Sequence, residues 1–165
     1  MKRVLIIRHA KSSWATIGQR DFDRPLNERG FRDAPEIARR LIQKNISVDL
    51  FVSSAANRAL TTTKLMMHEM KMGDDQLVIQ EELYHAPPSV ILSAINNTLN
   101  QYDTIAVVCH NPGITVFANM IKGLSIDNVP TCGVLVLKAD VKQWDEVSEK
   151  NMAFNFFDYP KSRGE

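Results

Sequence analysis

The sequence predicts an α/β fold: a mainly parallel sheet with helices on both faces, a three-layer sandwich. Two observations carry it. The apolar runs at 4–7, 50–52, 105–109 and 134–137 are short, mostly β-branched and nearly continuous, as in strands buried on both faces. Between them lie stretches with helical periodicity, and strand alternating with helix is the order that right-handed crossovers turn into a layered sheet. The 165 residues, 44% of them hydrophobic, fill one domain, 1–165, and are too few for two typical ones.

In chain order, the strand at 4–7 runs into Arg8 and His9, and a polar loop spans 18–27. The first helix, 28–43, has Asn27 as a plausible N-cap and puts Phe31, Ile37, Ala38 and Leu41 on its apolar face. Pro35 inside it predicts a late start or a kink. After the strand at 50–52 come Ser53 and Ser54, then a helix over 58–70 with Arg58 in its first turn. A third helical pattern covers 89–99. The strand ending at Cys109 delivers His110, the turn residues Asn111, Pro112 and Gly113, and a helical pattern over 115–121. From Lys150 the tail mixes Phe154, Phe156, Phe157 and Tyr159 with a charged end; it is expected to dock by its aromatics and to fray after Pro160.

Composition excludes several classes. With 20 Lys plus Arg against 19 Asp plus Glu, no nucleic-acid coat, polybasic membrane anchor or acidic tail is indicated. Arg8 breaks the first apolar stretch too early for a signal-peptide core, and no apolar run approaches a membrane span. Two cysteines, Cys109 and Cys132, sit within or beside apolar runs, as packing residues of a reducing, cytoplasmic compartment would. His9, His68, His85 and His110 share no metal-ligand spacing, and no Walker or dinucleotide glycine pattern occurs, so neither metal nor nucleotide cofactor is expected. A cysteine phosphatase would require an arginine where Thr115 and Lys138 stand, and Asp21 to Asp23 lack the apolar strand that an aspartate nucleophile would follow.

In an open parallel sheet, ligands bind beyond the carboxyl ends of the strands. Three of those ends carry Arg8 and His9, Ser53 and Ser54 leading to Arg58, and His110. If the strands are neighbours, two imidazoles and two guanidiniums converge, which suits a doubly charged tetrahedral oxyanion such as phosphate. Nearby positive charge disfavours the imidazolium, so His9 is expected to be neutral and nucleophilic, with His110 donating to phosphoryl oxygens. Lys11, Ser12 and Ser13 are candidates for an added phosphate donor, Ser12 foremost. Trp14 either lines the approach or anchors its loop on the core, while Asp21, Asp23 and Arg24 organise the rim through local pairs.

The segments RHA at 8–10, SSAANRALTT at 53–62 and CHNPG at 109–113 resemble the histidine phosphatase superfamily. The RHAKSSW opening, the DRPLNERG loop at 23–30 and the short chain look most like its SixA-type phosphohistidine phosphatases. That resemblance implies the histidine phosphatase fold, His9 as the nucleophile that becomes phosphorylated, and Arg8, Arg58 and His110 as the phosphate pocket. Larger members carry a glutamate general acid and covering insertions; the insertions are missing here. The corresponding region is QEELYHAPP, where Glu81, Glu82 and His85 are candidates and Glu82 fits the SixA-type pattern best. An open pocket admits a side chain on a phosphorylated protein, and a phosphoramidate can leave without a strong acid. The expected activity is therefore metal-independent removal of phosphoryl groups from protein phosphohistidine. The alternatives are a small-molecule phosphomonoesterase and a phospho-partner binding module with little turnover.

Overall fold

In the computed structural model, which describes residues 1–163, six strands form one sheet. They are β1 (Lys2–Arg8), β2 (Leu50–Ser53), β3 (Leu77–Ile79), β4 (Thr104–Cys109), β5 (Val134–Ala139) and β6 (Met152–Asp158), in the order β3-β2-β4-β1-β5-β6. The four strands β3, β2, β4 and β1 are parallel, β5 pairs antiparallel with β1, and β6 pairs antiparallel with β5 and so runs in the direction of β1. Between the strands lie α1 (Glu28–Gln43), α2 (Asn57–Glu69), α3 (Pro88–Asn96) and α4 (Gly113–Asn119).

Period-two alternation divides the core between the faces. Val4 and Ile6 of β1, Val52 of β2 and Ile105 and Val107 of β4 pack in one cluster with α3 and α4. Leu5, Ile7, Phe51, Ala106 and Val108 pack in the other with α1 and α2. Truncating a fully buried member such as Leu5 to Ala is expected to cost about 2–5 kcal/mol. Parallel register sets Arg8 opposite Cys109 and Ser53 opposite Val108, so β1, β2 and β4 end together and release their following residues at one edge.

Asn27 caps α1 as expected, its side chain accepting from the Gly30 N–H at 2.9 Å. Pro35 does not delay or end the helix, which runs from Glu28 through it to Gln43. The carbonyl that Pro35 leaves without an N–H belongs to Phe31, and Phe31 is itself exposed rather than a core residue. β3 escaped the sequence pattern because three half-exposed residues at a sheet edge show no buried run. The tail is a strand, β6, rather than only a docked aromatic segment. Arg40 of α1 fixes its end, donating to the carbonyls of Tyr159 at 3.0 Å and Pro160 at 2.9 Å, and a 3-10 turn continues over Pro160–Arg163 where fraying was expected. The last two residues of that tail lie outside the described ones. Among the described residues no helix is long and apolar enough to cross a membrane.

Candidate active site

The floor of the site is backbone-locked. The His9 N–H donates to the Cys109 carbonyl at 3.2 Å, and the Cys132 N–H donates to the carbonyls of Arg8 and His9, each at 3.0 Å. The next amide, Ala10 N–H, donates to Thr62 Oγ1 at 2.9 Å, and Thr62 Oγ1 donates to the Arg58 carbonyl at 2.7 Å. These bonds hold the ends of β1, β4 and α2 together around His9.

His9 Nδ1 lies 2.8 Å from the Ala10 carbonyl. A carbonyl only accepts, so Nδ1 carries the ring proton and Nε2 keeps its lone pair. That lone pair accepts from Arg58 Nε at 3.3 Å. Burial above all, with the charges of Arg58 and Arg8 adding to it against the Ala10 hydrogen bond, pushes the imidazole down to about 3. The neutral state expected from neighbouring charge is thus present, with burial as the larger cause.

His110 sits with its ring centroid 5.1 Å from that of His9. Its Nε2 is 2.7 Å from Ser54 Oγ, which also accepts the Ala56 N–H at 3.3 Å. The hydroxyl has one hydrogen to give, and given to Nε2 it leaves the ring proton on Nδ1. Burial, then His9 and Arg58, push His110 down to about 2. Its Nδ1 is buried without a hydrogen-bond partner; so is Arg8 Nε, although Arg8 Nη1 donates to the Val129 carbonyl at 3.0 Å. Among the described residues these are the two buried side-chain polar atoms left unpaired. An unpaired buried donor costs on the order of 1–3 kcal/mol, so both are poised for an acceptor that arrives with a ligand.

The rim is built from loops and its polar groups satisfy one another. Asp21 Oδ2 receives Tyr84 OH at 2.6 Å and Arg58 Nη2 at 2.9 Å, and pairs with His85 Nε2 at 3.3 Å. Asp21 Oδ1 receives Arg24 Nε at 3.0 Å, and the Asp21 carbonyl receives Arg58 Nη1 at 2.7 Å. Desolvation opposes it, yet the hydrogen bonds from Tyr84, Arg58 and Arg24 hold the Asp21 carboxyl well below the usual carboxylate range. Arg24 also donates to Ser12 Oγ at 2.8 Å, and its guanidinium lies 3.5 Å from the centre of the Trp14 ring. Trp14 is 75% exposed, so it rests on Arg24 and does not anchor the loop on the core.

Two glycines of the recognised segments permit this assembly. A Cβ on Gly113 would fall on the Ala86 carbonyl oxygen, and one on Gly30 would fall on that of Lys11. Each allows a helix start to press against a loop that carries site residues.

A cavity of ≈ 240 Å³ brings together Arg8, His9, Ser12, Arg58 and His110, with Lys11, Trp14, Asp21, Arg24, His85, Asn111 and Thr131 around them. Glu82 is not among them. It is exposed and lines a separate depression with Gln80, the α3 residues Val90, Ser93 and Ala94, and Asn97 just after that helix. The local pairs expected of the loop are present, Arg20 with Asp23 and Arg24 with Asp21. Sequence reasoning missed the reach of Asp21 to α2 and to Tyr84, and the supporting roles of Ser54 and Thr62. Only the placement of both serines at a strand end hinted at these.

The model of the histidine phosphatase superfamily (branch 1) matches residues 4–84. The chain is 30% identical over 166 residues to an uncharacterised protein of Mycobacterium tuberculosis, covering 94% of this chain and all of that one. The protein histidine phosphatase SixA solved with tungstate superposes with a TM-score of 0.80 at 18% identity, over 95% of this chain and 96% of that one. A protein of Agrobacterium tumefaciens assigned as the phosphohistidine phosphatase SixA also gives a TM-score of 0.80, with 30% identity over 96% of this chain and 99% of that one. Sequence and fold thus agree from end to end with that last structure, and the chain belongs to the histidine phosphatase superfamily, among its SixA-type members.

Proposed function

We propose that this chain removes phosphoryl groups from phosphohistidine on a protein, through a covalent intermediate on His9 and without a metal. The observation that carries this reading is the pair of unpaired buried donors, Arg8 Nε and His110 Nδ1, beside a histidine whose unprotonated Nε2 faces the Arg58 guanidinium. His9 Nε2 attacks phosphorus in line, the N–P bond to His9 forms, and the bond to the leaving nitrogen breaks. Water then attacks phosphorus and the electron pair returns to Nε2. Arg8, Arg58 and His110 supply the positive charge and donors that the transferring oxygens need. Ser12 Oγ accepts from Arg24, which leaves its own hydroxyl hydrogen to donate to a phosphoryl oxygen.

Three features favour a protein-borne phosphoramidate. The cavity, ≈ 240 Å³, is smaller than the roughly 300–1,000 Å³ of ordinary small-molecule pockets, which suits a phosphoryl group on a side chain more than a whole metabolite. No protonated carboxylic acid faces it: Asp21 is held ionised and Glu82 lies elsewhere, so any proton for the leaving atom comes from a weaker acid than a carboxyl, which suits a nitrogen leaving group better than an alkoxide. Trp14 offers an exposed apolar surface at the mouth. The likeness to the Agrobacterium tumefaciens protein, assigned as a phosphohistidine phosphatase, points the same way.

The test is phosphate release from a phosphohistidine-bearing protein beside a simple aryl phosphate, with the wild type and His9→Ala. Turnover of the first, abolished in the variant, is expected. Ester-selective turnover would make this a phosphomonoesterase, and silence on both substrates would leave a phospho-partner binding module.

A further inference from the structure

The hydrolysis proposed above needs a proton at the leaving atom and a place for a proton of the attacking water. Neither floor histidine serves: His9 Nε2 is the nucleophile, and His110 is a buried donor to the oxygens. His85 meets the requirements. It lines the same cavity, and its ring centroid lies 5.7 Å from that of His110. Its side chain is 55% exposed, so it can exchange protons with bulk water, and an imidazole can both donate and accept a proton.

Its position is enforced from three directions. Nε2 pairs with Asp21 Oδ2 at 3.3 Å, and Asp21 is itself fixed by Arg58, Arg24 and Tyr84. The ring leans on Tyr84 with centroids 4.0 Å apart. The backbone at His85 has φ 56°, a left-handed conformation that a non-glycine residue adopts at a cost, and the next residue, Ala86, is pressed against Gly113. A carboxylate that orients an imidazole beside a nucleophile is the arrangement that moves protons in acyl transfer.

We propose that His85, oriented by Asp21, is the proton-transfer residue of this site, a proposal that rests on the phosphatase reading. In the first step the His9 Nε2–P bond forms, the bond from phosphorus to the leaving atom breaks, and the His85 imidazolium gives its proton to that atom. In the second step water attacks phosphorus, His85 takes one water proton, and the N–P bond breaks with its electron pair returning to His9. Substrate and one water become the dephosphorylated group and inorganic phosphate, and His85 ends protonated as it began. With Nε2 turned to Asp21, Nδ1 is the nitrogen left for transfer.

The test uses aryl phosphates graded by the acidity of the leaving phenol. His85→Asn suits it, because Asn tolerates the left-handed backbone and lacks the proton-transferring imidazole; Asp21→Asn is the second variant, and inorganic phosphate binding checks that the pocket is intact. A proton donor contributes on the order of 10²–10⁴-fold, so kcat/KM of His85→Asn is expected to fall by about 10² or more with phenyl phosphate. It should fall far less with a dinitrophenyl ester, whose leaving group needs no proton. Asp21→Asn should steepen the dependence in the same direction, and Glu82→Gln should keep the wild-type slope. An unchanged slope in His85→Asn, or steepening in Glu82→Gln instead, would overturn the proposal while leaving the phosphatase reading intact. If the wild type turns over phosphohistidine and no ester, the comparison is made on phosphohistidine, where His85→Asn releasing phosphate as fast as the wild type would overturn the proposal; a wild type silent on every ester and on phosphohistidine would overturn that reading and this one together.

Discussion

The floor and the rim of the pocket are both rich in charged and polar groups, yet they are bonded in opposite ways. On the rim, Asp21 alone gathers Tyr84, Arg58, Arg24 and His85, and nothing buried there is left over. On the floor, the backbone groups of Arg8, His9 and Ala10 are tied down while Arg8 Nε and His110 Nδ1 are buried and unpaired. Buried polar groups normally find partners, so the unpaired ones mark the place reserved for a ligand. The rim is a self-satisfied frame, and the floor is an incomplete one that a phosphoryl group completes.

That contrast orders the expected effects of substitution. Replacing His9 by Ala should lower turnover by about 10³-fold or more while inorganic phosphate still binds, as measured by steady-state release and by calorimetry. His110→Asn removes one of the unpaired donors and should cost roughly 10²–10³-fold in kcat. A milder loss would show that the floor is less specialised than its unpaired atoms indicate.

Stability should register the same difference. His9 and His110 titrate at about 3 and about 2 in the folded chain and near ~6.5 when unfolded, so the unfolded chain takes up protons first as pH falls. Stability is therefore full above about pH 6.5 and declines toward pH 4, by up to ~1.4 kcal/mol per pH unit for each histidine. The depressed Asp21 carboxyl adds its own loss only below about pH 4. Urea midpoints across this range should fall less steeply for His110→Asn than for the wild type. Equal slopes would mean that the floor histidines are not held neutral by burial.

Gly113→Ala, which forces a Cβ onto the Ala86 carbonyl, should cost about 1–3 kcal/mol and displace the segment carrying Tyr84 and His85. The smallest effect belongs to the α1 cap. Asn27→Ala should cost about 1 kcal/mol with kcat unchanged, because that cap supports a helix and not the pocket.

The floor was legible in the sequence and the rim was not, for a physical reason. Arg8, His9 and His110 follow uninterrupted apolar runs, and once those runs are parallel neighbours their ends must meet. Arg58 follows from the strand–helix order in the same way. Asp21 and Tyr84 sit in irregular segments whose partners are remote in sequence, and no periodicity encodes such contacts. Glu82 and His85 show the limit sharply: they are three residues apart in a 3-10 turn and its exit, and only the turn's geometry decides which faces the cavity. At the sheet edges, β3 is too short and exposed to read, and β6 hides its strand character in a tail whose aromatics are half exposed.

The central claim is that the floor hands the phosphoryl group to His9 Nε2. The most direct measurement is rapid quench of a turnover reaction into alkali, where a phosphoramidate survives, followed by mass spectrometry of the chain and its peptides. A phosphoryl group on the peptide containing His9, absent from His9→Ala and retained longer in His85→Asn, is the predicted result. Steady turnover with no phosphoenzyme, or a phosphoryl group on another residue, would contradict it.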